Sequence, residues 1–201
     1  MGKLRLGVIG AGSWVVASHL PKLAARSEVA FTGVCRQGPE LLERVRDRWG
    51  FAMASENYRD VLDAGVDIVV VASPSALHVE HARAALNAGA HVLVEKPFTV
   101  AAADAWELVD LAARVDRHLL VSFGYNYRPV FTAARDLLTE HGIGEIESVM
   151  ISMSSVTRDL LTNRGAYPRA APEAQPDQAT WTDPALSGGG YGQAQLSHAL
   201  G

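Results

Sequence analysis

The side chains best suited to proton-transfer chemistry stand side by side in Glu95-Lys96-Pro97, directly after the apolar run 91–94. An apolar run of this length predicts a buried strand, and open α/β sheets bind ligands at the carboxyl ends of their strands. A lysine at that edge can exchange a proton with a substrate hydroxyl, especially when partial burial lowers its pKa. The alternative is a surface lysine paired with Glu95, although adjacent strand residues point to opposite faces. We therefore favour a catalytic Lys96.

A second candidate is the glycine turn that joins the predicted strand 4–9 to a predicted helix over 13–26. Glycines there let the backbone approach a pyrophosphate, whose negative charge is favoured by a helix N-terminus. The alternative is an ordinary tight turn. Val15 stands where the dinucleotide fingerprint has Gly or Ala, and we expect it to push the helix outward or tilt it. The residues predicted to hold a dinucleotide here are Gly10, Gly12, Ser13 and Trp14.

Arg36 ends the second predicted strand, 29–35, at the position where NAD-binding units usually carry Asp or Glu for the ribose 2′-hydroxyl. A guanidinium cannot accept those hydrogen bonds, but it pairs well with a 2′-phosphate. We therefore predict that NADP is preferred over NAD. The alternative is a solvated surface arginine.

Ser73 and Pro74 close the predicted strand 67–72, and His78 lies one turn into the next helix. We expect Ser73 and Pro74 to border the nucleotide and His78 to line or cap its nicotinamide end. His81 is predicted to be a partly exposed helix residue. The two histidines are spaced i, i+3, but no carboxylate or cysteine completes a set of metal ligands, so no metal is predicted.

Short apolar runs alternate with amphipathic segments up to about residue 123, which predicts right-handed βαβ units and a parallel sheet. The predicted fold class is α/β, with an N-terminal Rossmann-type parallel sheet over 1–124 and the start of a C-terminal α+β domain over 125–201. The predicted strands are 4–9, 29–35, 51–54, 67–72, 91–94 and 118–123, and the later predicted helices are 76–88, 101–116 and 130–141.

The pattern changes beyond residue 125. Residues 146–156 alternate apolar and polar, which predicts a one-sided antiparallel strand. Residues 157–186 show no clear period and are predicted to be a long loop. The run 188–190 precedes a predicted helix that carries His198. One strand and the first turns of a helix cannot bury a core of their own, so we expect the second domain to be incomplete in these 201 residues.

Taken together, these motifs resemble the glucose–fructose oxidoreductase, inositol dehydrogenase and rhizopine catabolism family (Gfo/Idh/MocA). The matching segments are GVIGAGSW, VVVASPSALH, AALNAGAHVLVEKPF and GYNYRP. The resemblance implies an N-terminal Rossmann domain, a C-terminal domain with a large open sheet, and oxidation or reduction of sugars, polyols or related carbonyl compounds with NAD(P). It also implies that Lys96 is catalytic, that Glu95 supports the nicotinamide ribose, and that the Lys96–Pro97 bond is cis.

The sequence departs from this family near its C-terminal end. The family pattern is a glycine run, then Asp, then His four residues later; the run 188–190 and His198 match, but Ala194 stands at the Asp position. His198 alone is either a general base or a bystander, and both interpretations stay open. Tyr125, Asn126 and Arg128 follow the last predicted strand and either reach the substrate or, as we favour for Arg128, brace the start of the linking helix.

Composition narrows the function classes. A net charge of −4 argues against nucleic-acid binding, and the longest apolar stretches have the length of strands, which argues against a membrane span. The single cysteine, Cys35, is predicted to be a buried, inert thiol in a cytoplasmic protein. We predict an NAD(P)-dependent oxidoreductase acting on a small molecule, homo-oligomeric at full length. The alternative is a nucleotide-binding sensor or scaffold without turnover, favoured by Val15, Ala194 and the incomplete second domain.

Overall fold

A six-stranded parallel sheet forms the centre of the protein, as the alternating pattern predicts. The computed structural model describes residues 2–152, 171–175 and 177–200. The strands are ordered β3-β2-β1-β4-β5-β6, and every neighbouring pair is parallel. They are β1 (Leu4–Ile9), β2 (Val29–Cys35), β3 (Met53–Ser55), β4 (Ile68–Val71), β5 (His91–Val94) and β6 (Leu119–Val121). The predicted α/β class is confirmed.

The helices connect the strands and continue beyond the sheet. The first helical segment is π-helical over Val15–His19 and continues as α1 (Leu20–Ala24). The other α-helices are α2 (Pro39–Trp49), α3 (Tyr58–Asp63), α4 (His78–Asn87), α5 (Ala102–Arg114), α6 (Pro129–His141), α7 (Ala179–Thr182), α8 (Pro184–Ser187) and α9 (Gly190–Leu200). Short 3₁₀ turns cover Ser75–Leu77, Gly124–Tyr127 and Pro172–Ala174.

Two hydrophobic layers cover the two faces of the sheet, because successive strand residues point to opposite sides. Val8 and Val70 belong to one layer, together with residues of the first helical segment and α2. Val69 and Val71 belong to the other, with residues of α3, α4 and α5. Strands buried on both faces are therefore apolar throughout, which is what made them visible in the sequence.

The steric demand expected of Val15 coincides with an irregular helix. Val15 is only 1% exposed and packs in the same layer as Val8. The helix is wound as a π-helix from Val15 onward, so the backbone widens where the fingerprint would have a smaller residue. The outward push or tilt of the helix expected from Val15 stays a prediction.

Two predictions for the second part of the chain are wrong in their described portions. Residues 146–152 are exposed and form no strand, and 153–156 lie outside the described residues. No strand stands beside this segment among the residues that the structure places, so its alternating pattern has nothing to pair with. The predicted loop 157–186 contains α7 and the start of α8, whose first turn is capped by the Asp183 carboxylate accepting from the Ala185 N–H at 2.8 Å.

Candidate active site

The candidate site lies where the strand order reverses, between β1 and β4. Ligands in open α/β sheets bind in the crevice outside such a point. Gly10 follows β1 with φ +89°, and a Cβ added there would lie 2.2 Å from the backbone nitrogen of Ser73, which follows β4. The turn is also tied to β2, because the N–H groups of Gly10 and Ala11 donate to the Cys35 carbonyl at 2.9 and 3.0 Å. Only glycine allows the two loops to approach this closely.

Gly12 forms an open cradle at the start of the first helical segment. A Cβ added at Gly12 would meet nothing within 4 Å, so the backbone here faces free space. The helix begins at residue 13, and the N–H groups of its first turn have no partners within the helix. Unpaired N–H groups beside an open backbone fit an anion such as a pyrophosphate. The geometry of Gly10, Gly12 and Ser13 therefore suits the phosphates of a dinucleotide.

The carboxylate of Glu95, at the end of β5, is clamped from both sides. Glu95 is 7% exposed. Its Oε1 accepts from Trp14 Nε1 at 2.9 Å and from His19 Nε2 at 2.6 Å, and its Oε2 accepts from the Lys96 backbone N–H at 3.0 Å. Burial raises the pKa of this carboxyl, but the hydrogen bonds from His19, Ser122 and Trp14 outweigh burial and hold the pKa below its usual value. The Glu95 carboxylate is thus held in its ionised form at the carboxyl end of β5.

His19 is the residue of this site that the sequence analysis missed. Trp14 and His19 are five residues apart and reach the same carboxylate oxygen. Five residues is the hydrogen-bond spacing of a π-helix, whereas α-helical periodicity pairs residues three or four apart. The signal available in the sequence was Val15, whose misfit with the fingerprint marks the start of the π-helical stretch.

Lys96 is half-buried beside this clamped carboxylate. Burial lowers the pKa of its ammonium group, and the charge of Glu95 opposes that effect. The Lys96–Pro97 bond is cis, as the family resemblance implies. A lysine whose pKa is lowered by burial gives up and regains its proton more readily than an exposed lysine, which suits general acid–base chemistry.

The structure brings His198, on α9, within electrostatic range of Lys96. Burial, and then the charge of Lys96, lower the pKa of His198. The imidazole ring lies 5.4 Å from the ring of Tyr125, and its buried Nδ1 has no hydrogen-bond partner among the described residues. Ala194, one turn earlier on α9, is buried and offers only a methyl group where the family pattern has a carboxylate. Among the described residues, no carboxylate takes the hydrogen-bonding place beside Nδ1 that the family aspartate would fill.

Tyr125 also contacts the start of α6. The guanidinium of Arg128 lies 4.7 Å from the centre of the Tyr125 ring, and Pro129 begins the helix. The Arg128 carbonyl accepts from the N–H groups of Phe131 and Thr132, which supports the bracing role favoured for Arg128. Asn126 is exposed in the intervening 3₁₀ turn, so its predicted contact with substrate stays a prediction.

The prediction for His78 is wrong. His78 is only 1% exposed; its Nδ1 lies 2.9 Å from the Pro97 carbonyl and its Nε2 lies 2.8 Å from the Ser73 carbonyl. It therefore does not line the nucleotide site but ties the loop after β4 to the loop that carries Lys96.

The prediction for His81, also on α4, needs correction as well. His81 is buried, not partly exposed, and its Nδ1 lies 2.8 Å from the Ser73 hydroxyl. The Ser73 hydroxyl is thereby turned inward, so Ser73 borders the site through its backbone beside Gly10. Pro74 is half-buried and precedes the 3₁₀ turn Ser75–Leu77, which leaves its predicted contact with nucleotide as a prediction.

Arg36 is not a solvated surface arginine. It is half-buried, and its Nη1 donates to the backbone carbonyl of Glu173 at 2.9 Å. The carboxylate of Glu173 is paired in turn with Arg48 of α2, at 2.6 Å. Part of the guanidinium expected to meet a 2′-phosphate is therefore engaged by a segment 137 residues further along the chain.

Among the described residues, neither a nucleophilic cysteine nor a metal cluster adds to this chemistry. The Cys35 thiol is buried, and burial, followed by the charges of Asp60 and Glu56, raises its pKa to about 11, so it is not a nucleophile at neutral pH. In the described ranges, no three His, Cys, Asp or Glu side chains come together as a metal site. No described helix combines the length and apolar character that a bilayer crossing requires.

The chain is similar to a known family of oxidoreductases and to individual sugar reductases and dehydrogenases. Residues 4–123 match the family described as "Oxidoreductase family, NAD-binding Rossmann fold" (GFO_IDH_MocA). The chain is 34% identical over 152 residues to the dTDP-3,4-didehydro-2,6-dideoxy-alpha-D-glucose 3-reductase of Streptomyces violaceoruber, which covers 75% of this chain and 44% of that protein. It is 29% identical over 144 residues to the D-glucoside 3-dehydrogenase of Escherichia coli, covering 71% of this chain and 41% of the relative.

A solved structure shows the same arrangement of elements. It is that of KijD10, a 3-ketoreductase from Actinomadura kijaniata in complex with NADP and TDP-benzene, at 33% identity and a TM-score of 0.65. The match covers 72% of this chain and 45% of KijD10. The chain thus spans less than half the length of the relatives named here.

Proposed function

Because the chain belongs to the Gfo/Idh/MocA family of oxidoreductases, we propose that it carries the nucleotide site and the catalytic lysine of an NAD(P)-dependent sugar oxidoreductase. The nicotinamide of a bound NAD(P) supplies or accepts a hydride at its C4. The partner carbon is a CH–OH or keto carbon of a sugar, a polyol or a related compound. The observation that carries the proposal is the half-buried Lys96 beside the clamped Glu95, on the same sheet edge as the Gly12 cradle.

The residues divide the work between binding and proton transfer. Gly10 and Gly12 would let the pyrophosphate approach the backbone closely, the N–H of Ser13 at the helix start would face it, and Trp14 would border it. Glu95, fixed by Trp14 and His19, would face the ribose next to the nicotinamide. A carboxylate already held in place binds a ribose hydroxyl without a further ordering cost.

Lys96 would move the proton of the reacting oxygen. In oxidation its neutral amine accepts the substrate hydroxyl proton, and in reduction its ammonium donates a proton to the forming alkoxide. The lowered pKa makes both forms accessible closer to neutral pH. His198, within electrostatic range of Lys96, would be the second group near the reacting oxygen.

The names of the relatives support a sugar as substrate. The Streptomyces relative is a 3-reductase of a dTDP-linked glucose derivative, and the Escherichia coli relative is a glucoside 3-dehydrogenase. We therefore propose a ring carbon of a glucose-derived sugar as the reacting centre. These relatives are reductases and dehydrogenases, so they lend no support to the alternative of a sensor without turnover.

The cofactor preference is proposed from Arg36. Arg36 directly follows β2, at the position that contacts the ribose 2′ substituent of a bound dinucleotide. It offers a cation there instead of the usual carboxylate. KijD10 is described in complex with NADP, which supports this preference. Both NADP and NAD remain part of the proposal, because Arg36 is partly engaged by Glu173.

Calorimetric titration of the chain with NADPH and NADH tests the nucleotide site, and Lys96→Ala tests the chemistry. With the full-length form of the protein, we expect Lys96→Ala to lower NAD(P)H-dependent reduction of 3-keto glucosides about 100-fold or more, since general acid–base catalysis contributes at least that much. Nucleotide affinity should stay within about threefold of the parent. Lys22→Ala, which removes an exposed lysine of α1, is the matched control. Unchanged turnover in Lys96→Ala would overturn the catalytic assignment, and failure to bind either nucleotide would overturn the function itself.

A further inference from the structure

A short segment from the second part of the chain reaches the adenosine end of the proposed nucleotide site. The 3₁₀ turn Pro172–Ala174 lies against α2 and against the π-helical stretch Val15–His19. Within the turn, the backbone carbonyl of Glu173 accepts from Arg36, which directly follows β2. The turn therefore lies beside the end of β2, where the ribose 2′ substituent of a dinucleotide is read.

Glu173 is the residue that fixes this segment in place. It is 4% exposed. Its backbone carbonyl accepts from Arg36 Nη1 at 2.9 Å, and its carboxylate pairs with Arg48 Nη1 at 2.6 Å. One residue thus touches two of the cations on this side of the sheet, once through its backbone and once through its side chain.

The carboxylate of Glu173 stays charged in this position. Burial raises its pKa, but the hydrogen bond and charge of Arg48, together with the charge of Arg44, outweigh burial and lower the pKa. Arg44 and Arg48 are one turn apart on α2, so they present their cations on one face. A full negative charge therefore offsets part of the positive field that Arg36, Arg44 and Arg48 create.

We propose that Glu173 is a cofactor-specificity residue, which acts against the 2′-phosphate of NADP and leaves NAD little affected. The inference rests on the proposed function. The backbone carbonyl of Glu173 accepts a hydrogen bond from Arg36 Nη1, and a 2′-phosphate needs that donor for bidentate pairing with the guanidinium. Its carboxylate repels the two negative charges of that phosphate, whereas the neutral 2′-hydroxyl of NAD meets no such repulsion. The NADP preference given by Arg36 is thereby weakened.

The test compares NADPH and NADH affinities, measured by isothermal titration calorimetry, for the parent chain and three variants. Glu173→Gln keeps the shape of the side chain and removes its charge. We expect it to bind NADPH roughly fivefold more tightly, with NADH affinity changed by less than about twofold. Glu43→Gln is the control, because it removes a carboxylate of α2 that pairs with Arg46 instead. That control should leave both affinities unchanged.

Arg48→Gln separates the charge of Glu173 from its anchoring role. It breaks the same ion pair but removes a positive charge, so we expect weaker NADPH binding. The alternative is that the turn Pro172–Ala174 acts only by blocking the nucleotide site. In that case Glu173→Gln and Arg48→Gln would both loosen the turn and both tighten NADPH binding, and this result would overturn the proposal. An unchanged ratio of NADPH to NADH affinity in Glu173→Gln would overturn it as well. Absence of binding of both nucleotides to the parent would instead overturn the proposed function.

Discussion

Adding one methyl group at Gly12 separates nucleotide binding from folding. The Cβ of Gly12→Ala would meet no atom within 4 Å, and Gly12 is not among the glycines with positive φ. The unfolded chain loses entropy when Gly becomes Ala, so the free energy of unfolding should stay equal or rise by up to about 1 kcal/mol. The same methyl group would occupy the cradle that faces the pyrophosphate. We expect NADPH affinity to fall about 30-fold, which corresponds to about 2 kcal/mol.

Gly10→Ala provides the contrast, because there the methyl group strikes the protein itself. Its Cβ would lie 2.2 Å from the Ser73 nitrogen and 2.4 Å from the Ser73 Cα, at a φ of +89°. Backbone atoms at the end of β4 must move to admit it. Overpacking and a strained φ together should cost about 3 kcal/mol, or roughly 10 °C in Tm.

Thermal unfolding and calorimetric titration of both variants decide the argument. Gly12→Ala should lose affinity without losing Tm, whereas Gly10→Ala should lose both. Gly192→Ala, another position where a Cβ meets nothing within 4 Å, is the control and should lose neither. If Gly12→Ala bound NADPH within about twofold of the parent, the pyrophosphate would not pass over this turn, and the cradle argument would be refuted.

Two further predictions concern the clamped carboxylate. Glu95→Gln removes the charge that raises the pKa of Lys96, so the rise of sugar-oxidation kcat/KM with pH should shift to lower pH. A profile that does not move contradicts the coupling. Because the folded pKa of Glu95 lies below its ordinary 4.5, its contribution to stability is present above that pH and is lost as the pH falls through the folded pKa. His19→Ala removes one of the bonds that hold the pKa down, so the midpoint of acid unfolding, followed by circular dichroism, should move to higher pH; an unchanged midpoint would show that His19 does not hold the carboxylate.

The sheet was predictable because its strands are buried on both faces and its turns need glycine. Apolar runs such as 67–72 leave few alternatives to a buried strand when helical segments separate them. The close approach of Gly10 to Ser73 is a backbone requirement that the sequence expresses directly. The segment 146–152 is exposed and forms no strand, because alternation favours a strand only where a neighbouring strand can pair with it.

The side-chain contacts of the site were less predictable because their partners lie far away in the sequence or on the backbone. Both ring nitrogens of His78 lie within hydrogen-bond distance of carbonyl oxygens, those of Ser73 and Pro97, and main-chain acceptors leave no trace in the sequence. His19 meets Glu95 76 residues away, through a π-helical stretch. Glu173 comes from a segment without periodicity, so nothing in its surroundings indicated contact with Arg36.

The indole of Trp14 has a practical consequence. Its nitrogen is fixed by Glu95, while 52% of its surface remains open beside the glycine turn. Because the indole is held beside the glycine turn, its fluorescence depends on what occupies the neighbouring crevice. Reduced nicotinamides absorb light where indoles emit, so occupancy of the crevice should quench Trp14 by energy transfer. A Trp14→Phe variant separates its emission from that of the other three tryptophans. The protein therefore carries an intrinsic optical probe, and cofactor exchange can be followed in real time without a label.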